Sequence, residues 1–139
     1  MADTLSREER SVRMSAIRGR NTKIEREIRR ALTSAGFRYR LDVRKLPGRP
    51  DIVLARHRAV IFVHGCFWHR HANCSVASNP RSNRAFWREK FAVNVRRDRR
   101  VQRELRAMGW RVLVVWECSL GNRTRRERRI RRLLADLTT

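Results

Sequence analysis

Apolar positions recur along this chain with two different periods, and the changes of period mark its elements. Ile24, Ile28 and Leu32 return every fourth residue with Ala31 and Ala35 beside them, which predicts a helix over 22–35. Thr22 and Glu25 have capping-box spacing at its start, and Gly36 suits the residue just past its end. An earlier helix is expected over 6–19, where Val12, Ala16 and Ile17 keep helical spacing behind a Ser6–Glu9 pair. After Gly36 the period drops to two. Phe37, Tyr39, Leu41 and Val43 alternate with Arg38, Arg40, Asp42 and Arg44, the pattern of a strand with one wet face. Leu46-Pro47-Gly48-Arg49-Pro50 is a turn cluster, and a short strand follows over 51–55. Ala59-Val60-Ile61-Phe62-Val63 is a continuous apolar run, as a strand buried on both faces requires. Residues 65–82 are rich in Cys, His, Asn and Ser and are expected as a long loop, a feature that is usually functional or held by something. A helix from Asn83 to Met108 keeps Phe86, Phe91, Val95, Val101, Leu105 and Met108 roughly on one side, and Gly109 stops it. A strand over 110–116 and a helix over 124–137, with Ile130, Leu133, Leu134 and Leu137 inward, complete the chain.

The strands that succeed one another favour antiparallel pairing, and the long helix before the last strand allows a parallel crossover. The fold class expected is α/β (α+β): a mixed four-stranded sheet flanked by helices. With no repeat and no linker, the 139 residues read as one domain. Residues 1–20 form its basic N-terminal arm and residues 121–139 its C-terminal helix.

Charge changes the picture from a fold to a partner. Lys plus Arg number 35 against 13 Asp plus Glu, a net charge of +22, while a hydrophobic fraction of 41% still allows a true core. Only three of the cations are Lys. Arg forks onto phosphate and stacks on bases, so a nucleic acid is the expected partner. A membrane surface would call for one basic amphipathic helix, whereas Arg runs through every segment here. The polar start and the lack of any apolar run of about 20 residues point to a cytoplasmic, nucleoid-associated protein of bacterial type, with no membrane partner.

Three Cys in a reducing compartment favour metal over disulfides. Cys66, His71 and Cys74 lie in one loop as C-x4-H-x2-C, and Cys118 follows the last strand. That is the composition of a closed structural zinc site. A long polar loop buries little and costs about 1–2 kcal/mol of backbone entropy per ordered residue, so one Zn²⁺ tying it to the sheet is physically apt. His69 and His64 stand as alternative imidazole donors or as chemical groups.

With so few acids, each placement counts. Asp51 follows Pro50 and opens a strand; a carboxylate there suits the hard cation Mg²⁺, with DNA phosphate to share it. Pro50-Asp51, a turn and a second buried strand resemble the PD-(D/E)xK, restriction-endonuclease-like core, except that Val63-His64-Gly65 stands where the second acid and the Lys belong.

One branch of that superfamily shares the departure. Leu46-Pro47-Gly48-Arg49-Pro50-Asp51, Val60–His69 with its Gly65-Cys66-Phe67-Trp68-His69, Phe86–Lys90, Asn94–Arg100 and Gly109–Cys118 strongly resemble the very-short-patch mismatch-repair endonucleases, as does the stretch from Arg10 to Glu25. The resemblance implies Asp51 as the Mg²⁺ carboxylate, the backbone carbonyl of Val63 as a second ligand and His69 as general base, a task suited to an imidazole. It further implies that Glu25 and His64 orient water, that Cys66, His71, Cys74 and Cys118 hold zinc, and that Phe67, Trp68 and Trp87 wedge between bases. Such a wedge costs a few kcal/mol per unstacked step, less at a wobble pair. The reaction implied is a strand-specific nick 5′ of the mismatched T in T·G pairs left by deaminated 5-methylcytosine. The enzyme is expected as a monomer on duplex DNA, with mismatch-repair proteins as candidate partners. The competing class is a zinc-containing DNA-binding module without chemistry, which the missing second acid favours.

Overall fold

The structure is a computed structural model and describes residues 23–41, 43–72, 74 and 79–138, without the side chains of Phe67 and Trp68. The helix expected over 6–19, the basic arm and the Thr22 cap lie outside the described residues. The elements run α1 (Lys23–Ser34), β1 (Arg40–Leu41), β2 (Ile52–Leu54), β3 (Ala59–His64), α2 (Cys66–His69), α3 (Arg84–Ala107), β4 (Arg111–Trp116) and α4 (Arg123–Thr138). The sheet has the order β1-β2-β3-β4. Its first two pairings are antiparallel and the pairing of β3 with β4 is parallel, from Ala59 opposite Arg111 to His64 opposite Trp116.

The two cores follow from the alternation of side chains along each strand. Ile52, Leu54, Ala59, Ile61 and Val115 form one core with Ile28 and Leu32 of α1 and Leu133 and Leu137 of α4. Val53, Val60 and Phe62 form the other with Val101 and Leu105 of α3, and Val112 and Val114 pack against it. Helices thus cover both faces, which is why β2 and β3 are almost wholly apolar. By the same alternation His64 and Trp116 continue the α3 face.

Arginines fasten the layers. Arg111 donates to the carbonyls of Asp136, Leu137 and His57, which ties the end of α4 to the start of β4 and satisfies orphan carbonyls of that helix. Arg58, with φ 50°, donates to the Met108 carbonyl and lies 4.6 Å over the Trp110 ring. Arg126 pairs with Glu27 at 3.0 Å across α4 and α1. Arg129 donates to the Val114 carbonyl on β4, the strand at one edge of the sheet.

Three expectations change. The first strand shrinks to Arg40–Leu41, because Phe37 and Tyr39 turn onto the α1–α4 core instead of pairing. The long loop contains the helical turn α2. Asn83 does occupy the position before α3, but with φ 54° and no side-chain capping bond.

The turn before Asp51 is built on close approach. Gly48 has φ 72°, and a Cβ there would stand 2.3 Å from Cγ1 of Val101. Gly48→Ala is therefore expected to lower stability by about 2 kcal/mol or more, from overpacking together with left-handed strain. Denaturant unfolding checks this; an unchanged midpoint would show that α3 yields at Val101.

Candidate active site and metal centre

Because β3 and β4 are parallel, both chains leave the sheet at the same end. One continues into Gly65-Cys66 and the other into Glu117-Cys118. The Cys66 N–H donates to Oε1 of Glu117 at 3.0 Å, which joins the two exits. There Cys66, His71, Cys74 and Cys118 present donor atoms all within 4.8 Å of one another. His71 Nδ1 lies 3.3 Å from Sγ of Cys118 and 3.6 Å from Sγ of Cys66. Three thiols and one imidazole are a soft-metal donor set, and the cluster is consistent with a zinc site. Burial pushes the Cys66 thiol up to about 12, and burial raises Cys118 as well. Such thiols ionise near neutral pH only against a cation, which a structural Zn²⁺ would supply. His71 is the imidazole of this cluster; His64 and His69, the alternatives, are engaged elsewhere.

They stack on each other, with centroids 3.8 Å apart and planes 5° from parallel. Asp98, on α3, accepts from Nδ1–H of His69 at 2.5 Å. The carboxylate fixes the tautomer and leaves Nε2 of His69 as the acceptor. His64 is 4% exposed, and its Nδ1 has no hydrogen-bond partner among the described residues. Burial first, and then the neighbouring His69, lower its pKa from 6.5 to about 4, against an opposing pull from Asp98. His64 is therefore neutral at physiological pH. Asp51 is half-buried at the start of β2, and its Oδ2 accepts the Val63 N–H at 2.7 Å. Asp51, Val63 and His64 thus share the sheet end from which the metal loop departs.

The other expected residues sit on several elements. Glu25 is buried in the first turn of α1, 6% exposed, on the helix that packs against the face opposite α3. Asp51 meets Val63 through its amide N–H. Phe67 and Trp68 lie on α2 with side chains outside the described ones. Trp87 is 3% exposed and stacks on Phe91, with ring centroids 5.6 Å apart. Asp98 is the residue that sequence reasoning missed. Its signal was present: it is a lone acid within Arg96-Arg97-Asp98-Arg99-Arg100.

A carboxylate that buttresses an imidazole, an oxygen donor at the neighbouring strand and a strongly basic chain are the equipment of a nuclease that hydrolyses phosphodiesters. A family model described as DNA mismatch endonuclease Vsr matches residues 2–75. The chain is 47% identical to DNA mismatch endonuclease Vsr of Escherichia coli strain K12 over 123 residues, covering 88% of this chain and 78% of that protein. It is 45% identical over 134 residues to type II nicking enzyme V.XorIIP of Xanthomonas oryzae pv. oryzae, covering 96% and 98%. Against type II nicking enzyme V.NmeAIP of Neisseria meningitidis it is 40% identical over 137 residues, covering 99% and 97%. The chain belongs to the Vsr DNA mismatch endonuclease family. Among the described residues no helix is long and apolar enough to cross a membrane.

The depressed pKa of His64 sets a pH dependence of folding. The unfolded chain binds a proton that the folded one refuses, so this contribution is full above pH 6.5 and is lost as pH falls toward about 4. Its ceiling is about 3 kcal/mol. His64→Asn protein should lack that part of the acid-side loss when both proteins are unfolded by urea at neutral and mildly acid pH. Parallel curves would overturn the assignment.

Proposed function

We propose that this enzyme nicks one strand of duplex DNA immediately 5′ of the mismatched T in a T·G pair, as repair of deaminated 5-methylcytosine requires. The observation that carries the hydrolytic part of the reading is the His69–Asp98 pair, stacked against a neutral His64 and placed at the sheet end that Asp51 opens onto, and the likeness to DNA mismatch endonuclease Vsr supports the mismatch. A DNA-binding module has no need of an imidazole held in one tautomer.

Asp51 and the backbone carbonyl of Val63 would hold Mg²⁺, whose appetite is for oxygen donors, with several positions left to water and phosphate. When bound, the ion polarises phosphoryl oxygens and acidifies water. The rest falls to the chain's own groups. Asp98 holds the proton on Nδ1 of His69, so Nε2 takes the proton of the attacking water. His64 stays uncharged and fixes the plane of the His69 ring by stacking. Glu25 orients water from α1. The zinc cluster pins the segment that carries Phe67 and Trp68, which enter the base stack where a wobble pair has weakened it. Phosphates bind to the arginines, and the enzyme works as a single domain and a monomer on its duplex.

The test is a duplex with one T·G mismatch, each strand end-labelled, incubated with Mg²⁺ or EDTA beside a matched T·A duplex. One Mg²⁺-dependent nick 5′ of the mismatched T is expected. Asp51→Ala should lose at least about a hundredfold in rate while binding persists, and His69→Ala about 10²–10⁴-fold, the usual yield of a general base. Equal nicking of the matched duplex would remove the mismatch requirement. Tight, salt-sensitive binding with no nick in any context would return the protein to the binding-module class.

Asp98→Asn gives a sharper check. The amide preserves shape but lets His69 turn to the wrong tautomer. The turnover rate should fall about a hundredfold or more with KM little changed, because the lost interaction belongs to the transition state. A rise in KM alone would assign Asp98 to substrate binding.

A further inference from the structure

Trp116 stands between the metal cluster and the catalytic imidazoles and touches both. Its indole stacks on the ring of His71, with centroids 4.3 Å apart and planes 12° from parallel. It meets the His64 ring edge-on at 5.1 Å and 77°, and the His69 ring at 6.4 Å and 73°. It sits opposite His64 in the parallel register, two residues before Cys118. One rigid side chain with two rotatable bonds thus contacts three imidazoles that serve two purposes.

Those purposes compete. Zn²⁺ accepts any imidazole, and His69 lies two residues from His71 on the same short segment. The catalytic set needs His69 on Asp98, whereas the metal set needs one imidazole beside three thiolates. We infer that Trp116 is a positioning residue that keeps the two sets apart. Its face holds His71 on the thiol cluster, and its near-perpendicular contacts confine the His64–His69 stack to the side of Asp98. The inference rests on the nuclease reading for its kinetic arm only.

The experiment uses the full chain with Co²⁺ in place of zinc, and compares Trp116→Phe with Trp116→Leu. Both variants keep apolar bulk, but only Phe keeps a π face for stacking. Co²⁺ reports its ligand set through its visible absorption without any DNA. Trp116→Phe should keep the parent spectrum and a turnover rate within a few-fold of it. Trp116→Leu should shift the spectrum as the imidazole ligand changes or loosens. Its turnover rate should fall about tenfold to a hundredfold, the usual cost of removing a group that orients metal ligands, with KM unchanged. Phe and Leu proteins with the same spectrum and rate would overturn the inference, because bulk alone would then suffice. A Leu variant that shifts the spectrum but keeps full activity would overturn the coupling of the two sets. Because the spectrum needs no substrate, a failed T·G substrate assignment leaves that arm standing and is told apart from a failure here.

Discussion

The parallel pairing of β3 with β4 governs the chemistry of this molecule. Six residues in register, Ala59 to His64 against Arg111 to Trp116, bring two distant parts of the chain out of the sheet side by side. Cys66 and Cys118 are then neighbours although about fifty positions separate them, and His64 and Trp116 lie abreast on one face. A slip of one residue would send His64 to the α1–α4 side and move Cys118 along the edge. The apolar run on β3 and the two-sided core prevent the slip, since it would expose one hydrophobic set and bury the wrong one. The geometry of the candidate site is thereby underwritten by ordinary packing of Val60, Ile61 and Val115.

Scarcity of acids shapes what the site can be. With 13 carboxylates against 35 cations, the protein commits Asp51 to the strand end, Asp98 to one imidazole and Glu117 to the amide of Cys66. The PD-(D/E)xK arrangement normally draws a second acid and a lysine from the central strand. Here that strand ends in Val63 and His64, and under the proposed mechanism a backbone group and a pair of imidazoles take over those functions. Neutrality of His64 follows from burial between the sheet and the metal loop, so no further carboxylate is needed to balance it.

Periodicity made the frame legible. The helices over Ile24–Leu32 and Phe86–Leu105, the buried run at Ala59–Val63 and the parallel crossover could all be read from spacing. So could the three Cys with His71, since thiols are rare and their partners few. What failed to show was anything decided by three-dimensional neighbours. Phe37 and Tyr39 alternate as a strand would, yet they pack against the core that α1 and α4 build on one face of the sheet. Trp87 carries the same sequence signal whether it faces a base or Phe91, and its stacking on Phe91 is visible only in three dimensions. Asp98 was hidden for a different reason: its partner lies twenty-nine residues away and on another element. The choice among His64, His69 and His71 was likewise geometric, settled by which ring reaches two sulfurs and which reaches a carboxylate.

The hydrogen bond from Arg129 to the Val114 carbonyl has a bearing on how this protein shares a crowded cell with others. A six-residue apolar strand at the margin of a sheet is an invitation to any unfolded segment seeking a template. By laying a guanidinium across that margin, α4 makes strand addition conditional on evicting a cation already half out of water. Colloidal restraint thus gains a foothold in the last helix, which occupies an acceptor that an incoming strand would need.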